Sequence, residues 1–572
     1  MTVFEKNVRM RIGAGAGVLA VLLLVCLFTG PARAETEYKL YFDCPSARTQ
    51  TRVTARVSNG NYTVFLPGYW DASEIRVTFE KPDEIAFGDL VVHSGDTVDL
   101  SGLLNEKTAL KRNGGHRFAA ITFYQGSPLT TVQIQVDAKE LKRAIKDKHV
   151  VIPEGTIVVT NPDGTVAHEG GLIQFKGRGN ATYNNLYTKK PFQFKLAEKA
   201  DLGGMGKSRT WLLIANYLDI SLLRNQINLD LAREMGMRGA VECVQADVWL
   251  NDAYYGLYLL TEKVQINKNR VDIRNLEEET EELNELPLEN NKKFKAENKK
   301  EKTEYRGYEI PNDPEDITGG YIIELDKPYR YKNSAVSGFV SSAKLYFVIK
   351  EPTAASRAQS EYISGLFEKF LRGVKADDGV DPVSGEYYAD LINMESFAMK
   401  FLVEDFAKNY DALAGSQFFF KDSDAVDPRI YAGPCWDYDL CMGNIDIAGI
   451  GSGLYPQKSW AVNIKNGKVN WYALLYKHPD FQEEVRRVYR EKFRPALAAL
   501  IGEEGAEGRI VRRLEDYEAE IADSARMNFV RISAKGVPGI NSKAGRTFES
   551  ATRFLFNWAR ERVADMDGVY GR

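Results

Sequence analysis

Between residues 35 and 148, apolar and polar side chains alternate in short runs. Thr51-Arg-Val-Thr-Ala-Arg-Val57 and Thr131-Val-Gln-Ile-Gln-Val136 each put one strand face inward. Asn59-Gly60 and Asn113-Gly114 supply turns. The alternation predicts a small all-β, sandwich-like front domain ending in a short helix near Ala138–Lys146. From Val150 the pattern becomes mixed α and β. Strands are predicted over Gly171–Lys176, Pro191–Leu196, Val244–Leu250 and Tyr255–Thr261. A helix is predicted from Ser221 to Met235, because Leu223, Ile227, Leu231 and Met235 recur at helical spacing. Ser221 offers a cap and Gly236 a stop. The order strand, strand, helix, strand, strand suits a small twisted sheet with one packed helix. Leu276 to Lys302 is rich in Glu and Lys and has no consistent period, so it reads as a mobile or helical surface insertion. A strand-like run resumes at Gly319–Asp326. Helices over Met394–Lys408, Phe481–Ile501, Ile510–Met527 and Thr547–Asp565, with a strand at Ser416–Lys421, complete an α+β chain.

The first 34 residues stand apart. Lys6, Arg9 and Arg11 precede an apolar run from Ile12 to about Phe28, and Ala32-Arg33-Ala34 offers small residues for cleavage. This is the grammar of a secretory signal, so the protein is expected to be secreted or held in the cell envelope. An uncleaved signal would leave it on a membrane. The expected organisation is signal peptide 1–34, β-rich domain 35–149, main domain 150–480 with the charged insertion 276–302, and helical C-terminal part 481–572. Hydrophobic residues at 44% and charged residues at 27% are globular proportions. The 75 basic and 79 acidic side chains nearly cancel, which removes the electrostatic case for nucleic-acid binding. The five histidines show no metal-ligand spacing.

Candidate chemistry lies in a few segments. Gly206-Lys207-Ser208 is not a phosphate loop, because Asp201 stands where the full pattern needs glycine. Gly177-Arg178-Gly179-Asn180 follows a strand, and its glycines allow backbone N–H groups to approach an anion. Arg178 adds a planar phosphate contact. Lys189-Lys190-Pro-Phe-Gln-Phe-Lys195 sets lysines at both ends of a strand, with Gln193 and Lys195 on one face. Lys408-Asn409-Tyr410-Asp411 ends a helix. Gly433-Pro-Cys-Trp436-Asp437-Tyr438-Asp439, with Gly443-Asn444, follows after one strand. Oxygen-rich sites with few ligands suit magnesium, which keeps waters and substrate phosphates. One aspartate placing an acceptor hydroxyl and another holding the metal is the logic of phosphoryl transfer. A calcium site or salt-bridged turns would use the same residues.

In order, these segments resemble the spore-coat protein H (CotH) kinase family. The resemblance rests on Lys176–Thr182, Lys189–Leu196, Trp211–Asp219, Leu223-Arg-Asn225, Asn251–Glu262, Asn269-Arg-Val-Asp272, Lys408–Asp411 and Gly433–Leu440 with Gly443-Asn444. It implies a two-lobed, atypical protein-kinase-like domain that binds ATP with Mg2+ or Mn2+ and phosphorylates Ser or Thr of exported proteins. It further implies that Gly177, Arg178, Gly179 and Asn180 cover the phosphates, and that Lys195, with Lys190 as second choice, is the strand lysine. Asp411 would be the catalytic-loop aspartate, Asp439 or Asp437 the metal ligand, and Glu262 a hinge or lysine-pairing acid. Where the family often has Asn after the catalytic aspartate, this chain offers Ser416 or Gln417 as second metal ligand. Two other functions fit the sequence. One is a catalytically silent surface protein whose front domain meets cell-wall glycan or protein. The other is ATP-dependent transfer of a nucleotide or amino acid.

Overall fold

A computed structural model describes residues 37–571 except 181, 184–186, 286, 410, 413–414, 446–469 and 533–543. The expected signal peptide lies outside the described residues. Among the described residues, no helix is long and apolar enough to cross a membrane.

The chain is mixed α and β. Ten strands (β1–β10) between Tyr41 and Gln125 form one four-stranded and one six-stranded sheet. Phe42 of the first packs its ring on Phe87 and Phe123 of the second, 6.4 and 5.8 Å between centroids, so the alternation read from the sequence does bury two facing sheets. The Asn59-Gly60 turn joins two paired strands with φ of 51° and 72°, the left-handed geometry such a hairpin requires.

The next sheet closes on itself. It contains β11 (Thr130–Gln135), β12 (Val151–Ile152), β13 (Gly155–Thr160), β14 (Val166–Gly177), β15 (Phe192–Asp201), β16 (Lys207–Ile214), β17 (Cys243–Leu250) and β18 (Ala253–Glu262). β14 pairs with both β13 and β15, while β11 bridges β13 and β17, so seven of these strands make a barrel. Closure leaves no free edge. It also replaces the open twisted sheet expected from the sequence. β11, grouped by its alternation with the front domain, pairs in parallel with β17 and belongs to the barrel. The barrel interior holds Phe175, Phe192, Phe194, Trp211 and Tyr258, all essentially unexposed.

A third layer is an antiparallel sheet of β19 (Lys293–Asn298), β20 (Thr303–Tyr308), β21 (Tyr321–Asp326), β22 (Gly338–Val340), β23 (Tyr346–Glu351), β24 (Gln417–Lys421) and β25 (Ile430–Ala432). The charged segment 276–302, expected as a mobile or helical surface insertion, begins with a helix and ends in this sheet. It forms the Leu276–Asn284 helix and then edge strand β19, whose Lys and Glu side chains face solvent while Phe294 is buried. Helices Arg357–Lys375 and Met394–Ala407 cover this sheet through Phe367 and Phe397, whose rings meet Phe419 at 5.6 and 5.9 Å.

The Leu514–Arg531 helix clamps onto the barrel. Its Ser524 Oγ donates to Asp247 Oδ2 at 2.6 Å, and Tyr254 Oη donates to Asp247 Oδ1 at 2.7 Å. Burial pushes the Asp247 carboxyl up to about 6, against the pull of those hydrogen bonds and of Lys189. A carboxyl raised in the folded state costs stability once pH climbs above the usual carboxylate range near 4, and the full cost is reached above about 6. The melting temperature of the wild type relative to Asp247→Asn is therefore expected to fall between pH 4 and 7. A difference that does not change with pH would refute this.

Candidate active site

A cavity of about 530 Å³ opens between the barrel and the seven-stranded sheet. The barrel contributes Lys176, the Gly177–Asn180 loop, Gln193 and the apolar side chains Leu212, Ile214 and Leu259. The sheet and its loops contribute Glu324, Lys350, Phe418, Asp411, Trp436, Asp437 and Asp439. Residues read as candidates from three distant segments thus meet at one place.

The acidic side is built by the loop before β24 and the loop after β25. The Met394–Ala407 helix ends at Lys408 in the left-handed region (φ 48°). Asn409 then folds the chain back, its Oδ1 accepting from Asp411 N at 3.2 Å. Asp437 also has positive φ, at 70°, and Ser416 at 57°. Such backbone in non-glycine residues costs about 1–3 kcal/mol each and concentrates at functional sites. Ser416 Oγ donates to Asp437 Oδ2 at 2.9 Å. The Tyr438 N–H donates to Asn225 Oδ1 at 2.7 Å, and Asn444 Nδ2 donates to the Leu218 carbonyl at 2.9 Å. Both anchors bind this loop to the segment around the Arg224–Glu234 helix. Burial, then the neighbouring Asp411, raises the Asp437 carboxyl. Burial, then Asp437, Asp411 and Asp219, pushes Asp439 well above the usual range. Like charges held together in this way call for a cation or a shared proton. Among the described residues no three His, Cys, Asp or Glu donors close around one ion. Two carboxylates completed by water and phosphate oxygens are what magnesium commonly accepts.

The other side is cationic. Lys148, Lys176, Arg178 and Lys263 line the cavity, and none makes an ion pair with another described residue. Burial lowers the Lys148 ammonium, and Arg330 and Arg178 lower it further. Burial and then Lys263 lower Lys176. The Arg178 guanidinium lies 5.6 Å from the Trp436 ring, and burial outweighs the pull of Asp437 and Glu324. The loop that carries it needs its glycines. A Cβ on Gly177 would sit 2.4 Å from the Tyr183 ring, and Gly179 has φ of 84°. Lys327, just after β21, donates from Nζ to Asp411 Oδ1 at 2.5 Å. Burial opposes its charge, but the charge and hydrogen bond of Asp411 win and raise the ammonium.

Four sequence candidates lie elsewhere. Lys195 shares a strand face with Gln193, but it sits two residues further along β15, opposite Thr210, and does not line the cavity. Lys190 is 3% exposed and lies over the Tyr183 ring at 5.3 Å. Glu262 is sealed in an ion pair with Arg270, and its Oε2 accepts from Glu242 N at 2.8 Å, so it answers to no strand lysine. The Gln417 amide donates to Glu404 Oε1 at 3.2 Å and accepts from Tyr472 Oη at 2.6 Å. Gln417 opens β24 with its amide turned inward, whereas Ser416, in its left-handed turn just before the strand, lines the cavity, so Ser416 is the second oxygen donor available. The sequence reading missed Lys148, Lys176, Lys263 and Lys327. Each stands alone next to a turn or strand end, and only the three-dimensional closure of the barrel and sheet gathers them.

The cavity thus sets an acidic wall against a cationic wall, with an apolar slot between them. A family model described as CotH kinase protein matches residues 173–566. The chain belongs to that family, and a kinase-like function goes with it. No curated protein matches the chain.

Proposed function

We propose that the protein is a metal-dependent kinase that uses ATP and acts on Ser or Thr of exported proteins, with the barrel and the seven-stranded sheet serving as its two lobes. One observation carries this reading: three crowded aspartates line one cavity with four cations that make no ion pair among the described residues. A metal–triphosphate complex supplies the counter-charge to both at once. Asp439 and Asp437, with Ser416 beside them, would hold Mg2+ or Mn2+, and the metal would supply charge neutralisation at the phosphates. Arg178 and the Gly177–Asn180 loop would bind the donor phosphates. Asp411 would take the proton of the acceptor hydroxyl, with the Lys327 ammonium, hydrogen-bonded to Asp411 Oδ1, aiming its carboxylate. Leu212, Ile214 and Leu259 would receive the base.

The test is a thermal-shift titration with ATP, with and without Mn2+. Ligand at about 100 times its dissociation constant should stabilise the fold by about 2.7 kcal/mol, and only with metal. Arg178→Ala should raise the KM for ATP by roughly 10- to 100-fold, the worth of a charge-assisted hydrogen bond of about 1.5–3 kcal/mol. Its backbone N–H still donates to the Pro191 carbonyl at 3.1 Å, so the loop should persist. No shift with any metal would favour a silent binding protein. Transfer of a group heavier than phosphoryl, seen by intact mass, would replace the kinase reading with nucleotidyl or aminoacyl transfer.

A further inference from the structure

The segment before the family match reaches into the candidate site. The Ala138–Lys146 helix leads through a tight turn into β12, with His149 N donating to Asp147 Oδ1 at 2.9 Å and Val150 N to the Asp147 carbonyl at 3.1 Å. β12 then pairs with the end of β14, Val151 opposite Lys176 and Ile152 opposite Phe175. That register carries Lys148 to the mouth of the glycine loop. Lys148 Nζ donates to the Gly179 carbonyl at 2.9 Å and to Asn180 Oδ1 at 2.8 Å. A second tether joins the same helix to the far end of the loop, where Tyr183 Oη bonds the Ala144 carbonyl. An ammonium has three donors, so two bonds to the loop leave one for the cavity that Lys148 lines.

We propose that Lys148, which lies outside the family-matched residues, holds the Gly177–Asn180 loop in place and contacts the donor triphosphate directly. This rests on the kinase reading above. In a kinase of this layout the residue has two effects. It fixes the Gly179 carbonyl and the Asn180 side chain, and it brings to the phosphates a positive charge that no carboxylate among the described residues pairs with. Loss of either effect weakens binding of the phosphate chain more than it slows the chemistry at Asp411.

The experiment compares wild type, Lys148→Gln, Lys148→Arg and Tyr183→Phe, with ATP and with inorganic triphosphate, each with Mn2+. Lys148→Gln is expected to raise the KM for ATP and the dissociation constant of triphosphate by about tenfold or more. The kcat should stay within about threefold, and the melting temperature without ligand should hardly move. Lys148→Arg should recover most of the loss, because it restores the charge. Tyr183→Phe keeps that charge and loses only the second tether, so its binding defect should be the smaller one. Unchanged ATP and triphosphate binding in Lys148→Gln would overturn the proposal, as would a defect that Lys148→Arg does not relieve. If the wild type itself shows no metal-dependent shift with ATP, the kinase reading fails first. If the wild type shifts and Lys148→Gln shifts equally, only the Lys148 assignment fails.

Discussion

Asp439→Ala is expected to abolish metal-dependent phosphoryl transfer, lowering kcat by about 10³-fold or more, while the fold survives intact. The size follows from charge. A metal-binding carboxylate supports several kcal/mol of transition-state stabilisation, and about 4 kcal/mol corresponds to 10³ in rate. The survival of the fold follows from how the loop is held. Tyr438 N, Asn444 and the carbonyls of Cys441 and Met442 all have partners, and none of these partners is the Asp439 carboxylate. Asp439 is itself held far above its ordinary range by burial, Asp437, Asp411 and Asp219. Removing it relieves repulsion in metal-free protein, so the melting temperature without metal should stay level or rise. The shift on adding Mn2+ should vanish. Activity within tenfold of wild type would show that Asp439 does not hold the metal. A large fall in metal-free melting temperature would show that its carboxylate is structural.

The sequence announced the elements better than their closure. Helices with strong apolar spacing sit close to where they were expected: Met394–Ala407 ends one residue before the expected Lys408, and Phe548–Tyr570 begins one residue after Thr547. The Ser221 cap failed for a specific reason. Asp219 takes that task, accepting from Arg224 N at 3.0 Å and from Ser221 N at 3.0 Å, so the helix starts at Arg224. Barrel closure was not legible, because alternation in Thr130–Gln135 says that one face is buried but not that its partner is β17, more than a hundred residues away. The acidic half of the site was readable, since two aspartates between large aromatics beside a Gly-Pro turn are costly unless they are used. The cationic half was not. Strand position points to Lys195 and Lys190, whereas the lysines that reach the cavity arrive from the ends of β14, β18, β21 and β23 and from the turn before β12. Edge strand β19 was hidden because solvent-facing Glu and Lys mask the pairing that the backbone makes.

Asp219→Ala is expected to be the most destabilising single change near the site, at about 3–5 kcal/mol. Asp219 and Arg224 form an ion pair at 2.5 Å with side chains of zero exposure. Arg224 also donates to the Cys441 carbonyl at 3.0 Å and the Met442 carbonyl at 3.2 Å, just beyond Asp439. Removing the carboxylate leaves a buried guanidinium without its counter-charge, and its remaining partners are Ser221 Oγ and the two carbonyls that shape the Asp439 loop. The strain should therefore pass into the site. Melting temperature should drop by roughly 10 °C for a unit of this size, and the Mn2+ shift should shrink even in protein that remains folded at the assay temperature. Asp219→Ala combined with Arg224→Met removes both charges, so it should recover stability relative to the single change. It should not recover metal binding, because without Arg224 the Cys441 and Met442 carbonyls lose their donor. A single change that moves the melting temperature by less than about 2 °C would mean that the pair is dispensable. A double change that restores full metal binding would mean that the Asp439 loop holds its shape without Arg224.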